Sequence, residues 1–200
     1  MEGLFAGTPP LEALRYLIHK AATVSKGKKD KSIMVNDVSR AFFEAEANRL
    51  VCCELPLGYP GNEQQDKVGI LQKSLYGTRD AAHNWVEEVA KFMKGLGFLR
   101  GIYNPCLYYH PQRDIETMVH GDDFASVADI AELEWFKGKL SKRFKIKTQV
   151  IGPNNGEDKE GRILNRSIRC TKKGWEYEPD QRHAELIVQD MKLSLSLIHI

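Results

Sequence analysis

Apolar residues Leu11, Leu14, Ile18 and Ala21 recur at helical spacing and predict a helix from about Thr8-Pro9 to Val24. Thr8 is the expected N-cap and Pro9 the first helical residue. Next comes the short unbroken apolar run Ile33–Val35, which reads as a buried strand, with Asp37 standing where the pattern changes. From Ser39 onward Ala, Glu and Phe dominate, as in a short helix or turn. A second helix is predicted over Arg79 to Lys94, with Trp85, Val89, Phe92, Met93 and Leu96 on or near one face, mainly as core. Residues Glu116–His120 and Phe124–Val127 read as two strands joined by Gly121-Asp122. That pair suits a type II′ hairpin loop, whose first central residue needs positive φ. Further on, Trp135, Phe136, Leu140 and Phe144 are spaced as in a helix. The polar stretch "IGPNNGEDKEG" (151–161) is the best internal boundary. Beyond it "RILNRSIRCTKKGWEYEPD" reads as a hairpin turning at Lys173-Gly174, and "QRHAELIVQDMKL" as a helix. No internal repeat is present.

Chemistry concentrates in the hairpin "MVHGDDFASV" (118–127), where two aspartates follow a glycine and no Lys or Arg neutralises them. A solvated acidic turn is one reading. The other is a metal site, because a tight hairpin holds its side chains rigidly and crowded carboxylates stay ionised only if a cation compensates them. Asp37, an acid at the end of a buried strand, is costly there unless it binds something. Beside Asp122 and Asp123 it would complete three carboxylates, enough to hold two Mg²⁺ about 4 Å apart for phosphoryl transfer.

Composition limits the alternatives. With 200 residues, 42% hydrophobic and 28% charged, the chain reads as one soluble globular domain or most of one. No apolar run reaches transmembrane length, and the N-terminus lacks a signal-peptide pattern. A net charge of +2 leaves nucleic-acid binding to local patches, "KGKKDK" (26–31) and "FKGKLSKRFKIK" (136–147). The second reads first as a solvated helix face and only second as a phosphate contact. The four cysteines, Cys52, Cys53, Cys106 and Cys170, lack Cys-x-x-Cys spacing, so reduced thiols are expected rather than zinc.

The blocks "NDVSRAFFEAE", "LQKSLYGTRDAAHNW" (71–85), "GFLRGIYNPCLYY" (97–109) and "VHGDDF" (119–124) occur in an order that resembles the reverse transcriptase of copia-type LTR retrotransposons. The likeness spans roughly residues 5 to 192, and "FAGTPPLEALRYLIHKAATV" resembles the helix that leads into the first catalytic strand. It implies an α+β polymerase palm, an antiparallel sheet backed by helices, with partial fingers and a partial thumb. The implied segments are 1–31 (residual fingers and lead-in helix), 32–150 (palm) and 151–193 (primer grip and start of the thumb), with 194–200 a tail foreign to the family. It further implies RNA-dependent DNA synthesis by two-metal nucleotidyl transfer. Asp37, Asp122 and Asp123 would be catalytic and would hold two Mg²⁺ (or Mn²⁺), with the Val38 carbonyl as a further ligand. Phe42 would lie under the incoming sugar and exclude a 2′-hydroxyl; Gly77 and Asp80 would lie near the nucleotide. Arg162, Arg166 and Arg169 would contact nucleic-acid phosphates, although exposed basic side chains on a structural hairpin explain them equally. The implied partners are an RNA or DNA template with its primer, dNTPs, and the integrase and ribonuclease H regions of one polyprotein, with no membrane. The implied location is cytoplasmic or particle-associated, with nuclear access and no secretion.

Several positions depart from the family pattern. His120-Gly121 replaces Tyr-Val, Asp80 replaces Gln, Ala82 replaces Pro, His83 replaces Arg, and Asn104 replaces Asp. A carboxylate at position 80 would repel a triphosphate unless it faces away. Met1 falls after the family's Lys/Arg-rich fingers, so weak polymerisation by residues 1–200 alone is the expectation. The competing reading is a non-catalytic, truncated or repurposed retroelement fragment that binds nucleic acid or protein.

Overall fold

The computed structural model describes residues 6–23, 30–56, 58–60, 67–179 and 181–192. Residues 26–29 of the first basic patch and the tail 194–200 lie outside them.

Helix α1 (Leu11–Ala22) begins later than its apolar spacing alone suggests. Thr8 and Pro9 each precede a proline, which disfavours the helical region, and Pro10, not Thr8, holds the extended N-cap position. Strand β1 (Lys31–Val38) follows, then a short 3-10 helix, Ala41–Glu44. Strands β2 (Cys52–Glu54) and β3 (Val68–Ile70) pair only with each other. Helix α2 (Ala81–Gly95) leads to β4 (Leu99–Arg100), β5 (Leu107–His110), β6 (Ile115–His120) and β7 (Asp123–Asp129). Helix α3 (Ile130–Arg143), β8 (Ile146–Ile151), β9 (Glu160–Ile163), β10 (Arg166–Thr171), β11 (Gly174–Glu178) and α4 (Gln181–Asp190) complete the chain.

Six strands form one antiparallel sheet in the order β4-β5-β6-β7-β1-β8. Because side chains alternate across a strand, β1 and β7 serve two cores. Met34, Val38, Phe124 and Ala128 pack on α2 and α3, against Trp85, Val89, Met93, Leu133, Phe136 and Leu140. Ile33, Ala125 and Val127 pack on the other side, against Leu14, Leu17 and Ile18 of α1. Burial on both faces explains why β1 reads as an unbroken apolar run.

The region after Ile151 differs from a single hairpin. Strands β11-β10-β9 form a three-stranded sheet, and the turn between β9 and β10 uses left-handed Leu164 and Asn165 (φ 50° and 60°). Residues Ile163 and Ile168 join the α1 core, so this sheet is packed onto the larger one. The β10–β11 turn falls at Lys172-Lys173, and Gly174 opens β11. The second basic patch is split between the last half of α3 and the start of β8.

Candidate active site

The acids are placed by strand register. In the antiparallel β1–β7 pair Asp37 lies directly opposite Asp123, and residues so paired carry Cβ atoms roughly 5 Å apart on one face. Both continue the α1-facing side of the sheet past its buried part, and the Asp37 side chain is 45% exposed. Asp122 is the next residue along, in the loop. Gly121 takes φ 61° there, while Asp122 is not among the positive-φ residues, as a type II′ loop requires. An L side chain at position 121 would be strained whatever space surrounds it. The Val38 amide donates to the Asp122 carbonyl at 3.0 Å, tying the end of β1 to the hairpin.

Burial pushes the Asp123 carboxyl above the ordinary carboxylate value, and the charges of Asp122 and then Asp37 push it the same way, with His120 partly offsetting them. Lys147, opposite Asp37 on β8, places Nζ 3.9 Å from its carboxylate but is 81% exposed, so solvent screens most of that attraction. Among the described residues no group of three or more His, Cys, Asp and Glu is gathered as a metal cage. The donor set nevertheless fits a hard divalent cation: oxygen ligands, a like-charge cluster that raises the proton affinity of Asp123, and one partly open face.

Phe42 sits in the 3-10 helix immediately after Arg40, whose φ of 58° turns the chain sharply at the end of β1. Its ring stacks obliquely on Tyr76, centroids 4.4 Å apart, and it also borders the α2/α3 core. Tyr76 immediately precedes Gly77, whose φ of 86° only glycine adopts easily. The structure therefore brings two sequence-derived nucleotide positions, Phe42 and Gly77, into one neighbourhood. A polar network holds that neighbourhood in place. Asn84 of α2 donates to Ser74 Oγ at 3.0 Å and accepts from Asn48 Nδ2 at 2.6 Å, while Ser74 Oγ donates to the Glu46 carbonyl at 3.1 Å.

Asp80 is not the free charge that its sequence position suggests. Its carboxylate pairs with Arg49 Nε at 3.1 Å and accepts weakly from Asn84 at 3.5 Å. Burial raises its proton affinity, but its own backbone amide and Arg49 together outweigh that and hold the carboxyl below its usual value. The repulsion expected at this departure is thus largely spent on Arg49.

Arg162, Arg166 and Arg169 do not all lie on one face of their sheet. Arg166 lies on the core-facing side of its sheet, its guanidinium 5.7 Å from the Tyr177 ring centroid. Arg162 is exposed and pairs in register with Ser167, on the opposite face. Arg169 is on that opposite face too, but it is bound to Glu178 at 2.6 Å and Glu160 at 3.2 Å, with Glu176 at 4.0 Å. Glu178 and Glu160 raise its affinity for its proton, and they occupy the fork that a phosphate would need.

Trp85 has a role that its place in an apolar stripe does not reveal. Fully buried in the α2/α3 core, it donates Nε1–H to the Gly121 carbonyl at 2.7 Å. One helix thereby fixes the hairpin tip from beneath. The available signal was general: a buried Trp N–H needs an acceptor. Lys147, Tyr76 and Arg49 carried no comparable signal.

An antiparallel α+β sheet with facing aspartates on adjacent strands and a third in the hairpin loop has the features of a nucleotidyl-transferring polymerase palm. Residues 5–152 match the family described as reverse transcriptase (RNA-dependent DNA polymerase), and the chain belongs to that family. It is 27% identical over 154 residues to the retrovirus-related Pol polyprotein from transposon TNT 1-94 of Nicotiana tabacum, covering 75% of this chain and 11% of that protein. It is 27% identical over 114 residues to the Pol polyprotein from transposon RE2 of Arabidopsis thaliana, covering 56% of this chain and 8% of that protein. Among solved structures it resembles an apo telomerase from Candida tropicalis truncated from its C-terminal domain, at 14% identity and a TM-score of 0.48, over 84% of this chain and 38% of that one. The chain thus spans about a tenth of the length of its Pol relatives. Its four cysteines are free thiols, and none of the described helices is long and apolar enough to cross a membrane.

Proposed function

We propose that this chain forms the catalytic palm of a retrotransposon reverse transcriptase, extending a primer with dNTPs on an RNA or DNA template. The carrying observation is the register that sets Asp37 against Asp123 with Asp122 beside them. Asp37, Asp122, Asp123 and the Val38 carbonyl would hold two Mg²⁺. When bound, those ions supply charge neutralisation and a more acidic primer hydroxyl. The protein's own contribution is positional. The Val38–Asp122 and Trp85–Gly121 hydrogen bonds fix the acids, and the Phe42–Tyr76 pair with Gly77 forms the floor for the incoming nucleotide. Arg162 is the best placed of these arginines for phosphate contact; Arg166 faces the core side of its sheet and Arg169 serves its own sheet. The pairing of Asp80 with Arg49 offsets the charge of one sequence departure that favours a non-catalytic fragment. Segments 1–31, 32–150 and 151–193 would be the lead-in, palm and primer grip of a longer polyprotein that carries integrase and ribonuclease H regions.

The test is primer extension on poly(rA)/oligo(dT) with dTTP and Mg²⁺, comparing the unmodified chain with Asp122→Asn. Extension abolished in the variant, with primer-template binding retained, is the expected result. Because residues 1–200 alone are expected to polymerise weakly, the comparison is made in a polyprotein segment extended at both ends; unchanged extension in the variant, or none from that longer protein, overturns the assignment. A second expectation concerns sugar choice: Phe42→Val should raise ribonucleotide use relative to dNTP use about 10- to 100-fold, the range for a single steric contact. Equal effects on both nucleotides would make Phe42 a packing residue for Tyr76 and the neighbouring core.

A further inference from the structure

The turn that carries Tyr76 and Gly77 is fastened at both ends to one short segment, residues 45–49, which follows the 3-10 helix bearing Phe42. At its near end the Ser74 amide donates to the Ala45 carbonyl at 2.9 Å, and the Ala47 amide to the Gln72 carbonyl at 3.2 Å. The turn then closes on itself. The Thr78 amide and hydroxyl both donate to the Leu75 carbonyl, at 3.0 and 2.7 Å, and the Ala81 amide donates to the Thr78 carbonyl at 3.3 Å. At its far end, on the last residue before α2, the Asp80 carboxylate meets Arg49 Nε at 3.1 Å.

The two ends are held by different chemistry. Backbone groups carry most of the near end, and side-chain changes leave them in place. The far end is tied by side chains: Asn84 accepts from Asn48 at 2.6 Å one turn into α2, and Arg49 holds Asp80 closer to the turn. Asp80 is the fixed half of that pair, its side chain 13% exposed against 52% for Arg49. What lies between the ends is the Tyr76 ring, 4.4 Å from Phe42 and edge-on to Phe43 at 5.7 Å. Phe42 and residues 45–49 are one continuous piece of chain, so fastening both ends of the turn to that piece fixes the seating of Tyr76 on Phe42. A turn tied at one end can pivot about it. Rejecting an extra hydroxyl by a clash requires a wall that cannot recede.

We propose that Arg49 is a positioning residue for nucleotide selection: its ion pair with Asp80 closes the far end of the turn onto residues 45–49 and keeps Tyr76 seated against Phe42. That role rests on Phe42, Tyr76 and Gly77 forming the floor for the incoming nucleotide.

Two measurements separate the latch from the polymerase reading. In the ¹⁵N-labelled 200-residue chain, without nucleotide or metal, Arg49→Ala should speed amide exchange at Thr78 and Ala81 about fivefold, the upper end for a partly exposed ion pair. The reference is the Val119 amide, bonded to the Cys106 carbonyl at 2.9 Å. Asp80→Asn should do the same, and the double variant should add little to either, because both changes remove one interaction. Unchanged exchange in Arg49→Ala, or additive effects, overturns the latch whatever the chain catalyses. In the polyprotein segment extended at both ends, Arg49→Ala should lower selectivity for dTTP over UTP about fivefold. It should raise the dTTP KM while kcat stays within about twofold, as for a group acting on binding geometry. Arg49→Lys, which keeps the cation, should recover most of the selectivity. Faster exchange with selectivity unmoved, or a collapse of kcat with KM unchanged, overturns the positioning role. An unmodified segment that extends no primer overturns the polymerase reading and the selection role with it, while the exchange rates still decide the latch.

Discussion

Asp123→Asn is expected to abolish primer extension and, at the same time, to raise the melting temperature at pH 7. The first effect follows from losing a proposed metal ligand and its charge, on the order of a 10²–10³-fold fall for one group that stabilises developing charge. The second follows from the cross-strand pair. Like charges directly opposite in a sheet destabilise it by about 0.2–1 kcal/mol, a melting shift of about 2–4 °C at most for a chain of this size. The pH dependence has a definite sign. Burial and the two neighbouring aspartates raise the Asp123 carboxyl above its unfolded value, so the folded state prefers the protonated form. The penalty is absent below the unfolded value, near 4, and complete above the raised folded one. The stability gap between variant and unmodified chain should therefore be widest at neutral pH and close as pH falls toward 4. Thermal unfolding at pH 7 and pH 3.5 reads this directly. A variant less stable than the parent at pH 7 would mean that Asp123 makes favourable contacts outweighing the repulsion.

The second large effect is expected at Trp85. Trp85→Ala should cost about 3–5 kcal/mol, as for other buried aromatic truncations, because the ring fills the core shared by α2, α3 and the sheet. Trp85→Phe separates packing from positioning. It keeps an aromatic in contact with Phe144, whose ring lies 5.3 Å away, but removes the N–H that holds the Gly121 carbonyl. That carbonyl is at an exposed turn and can be rehydrated, so the hydrogen-bond loss should be about 0.5–1.5 kcal/mol. Extension by Trp85→Phe should nonetheless fall much further than its stability does, because the hairpin tip is no longer fixed from below. Urea unfolding and extension rates on the same preparations check this. Activity that tracks the folded fraction would reduce Trp85 to a packing residue.

What the amino-acid pattern revealed and what it hid have a common physical origin. The Gly121-Asp122 loop, β1 and α2 were legible because each depends on residues within a turn or two: a glycine for positive φ, an unbroken apolar run, a stripe at helical spacing. The start of α1 was misplaced by the two consecutive prolines, where the rule about residues preceding proline overrides the attraction of Thr8 as a cap. Strand β9 was hidden because its turn is made by Leu164-Asn165 rather than by a glycine. At the site the gaps are of a different kind. That Asp80 meets Arg49, that Asn84 joins Ser74 to Asn48, and that Arg169 is ringed by Glu160, Glu176 and Glu178 depends on side chains brought together from distant positions. Charge at a position was readable; whether that charge was already satisfied was not.

The β1–β7 register has a consequence for how such an element decays. Asp37 and Asp123 meet only because both strands keep count, and side chains alternate faces at every residue. Losing one codon between positions 31 and 36 would carry Asp37 to the opposite side of the sheet, beneath the helices, or force the whole strand to turn its core outward. A missense change at most of those positions alters one side chain; an in-frame deletion of three nucleotides inverts all of them. The connection 152–159, between β8 and β9, has no such parity to preserve. Among degenerate copies, single-codon gaps should therefore collect in that connection and be depleted from both aspartate-bearing strands wherever the reading frame is still under selection, giving a signature of function that substitution counts would miss.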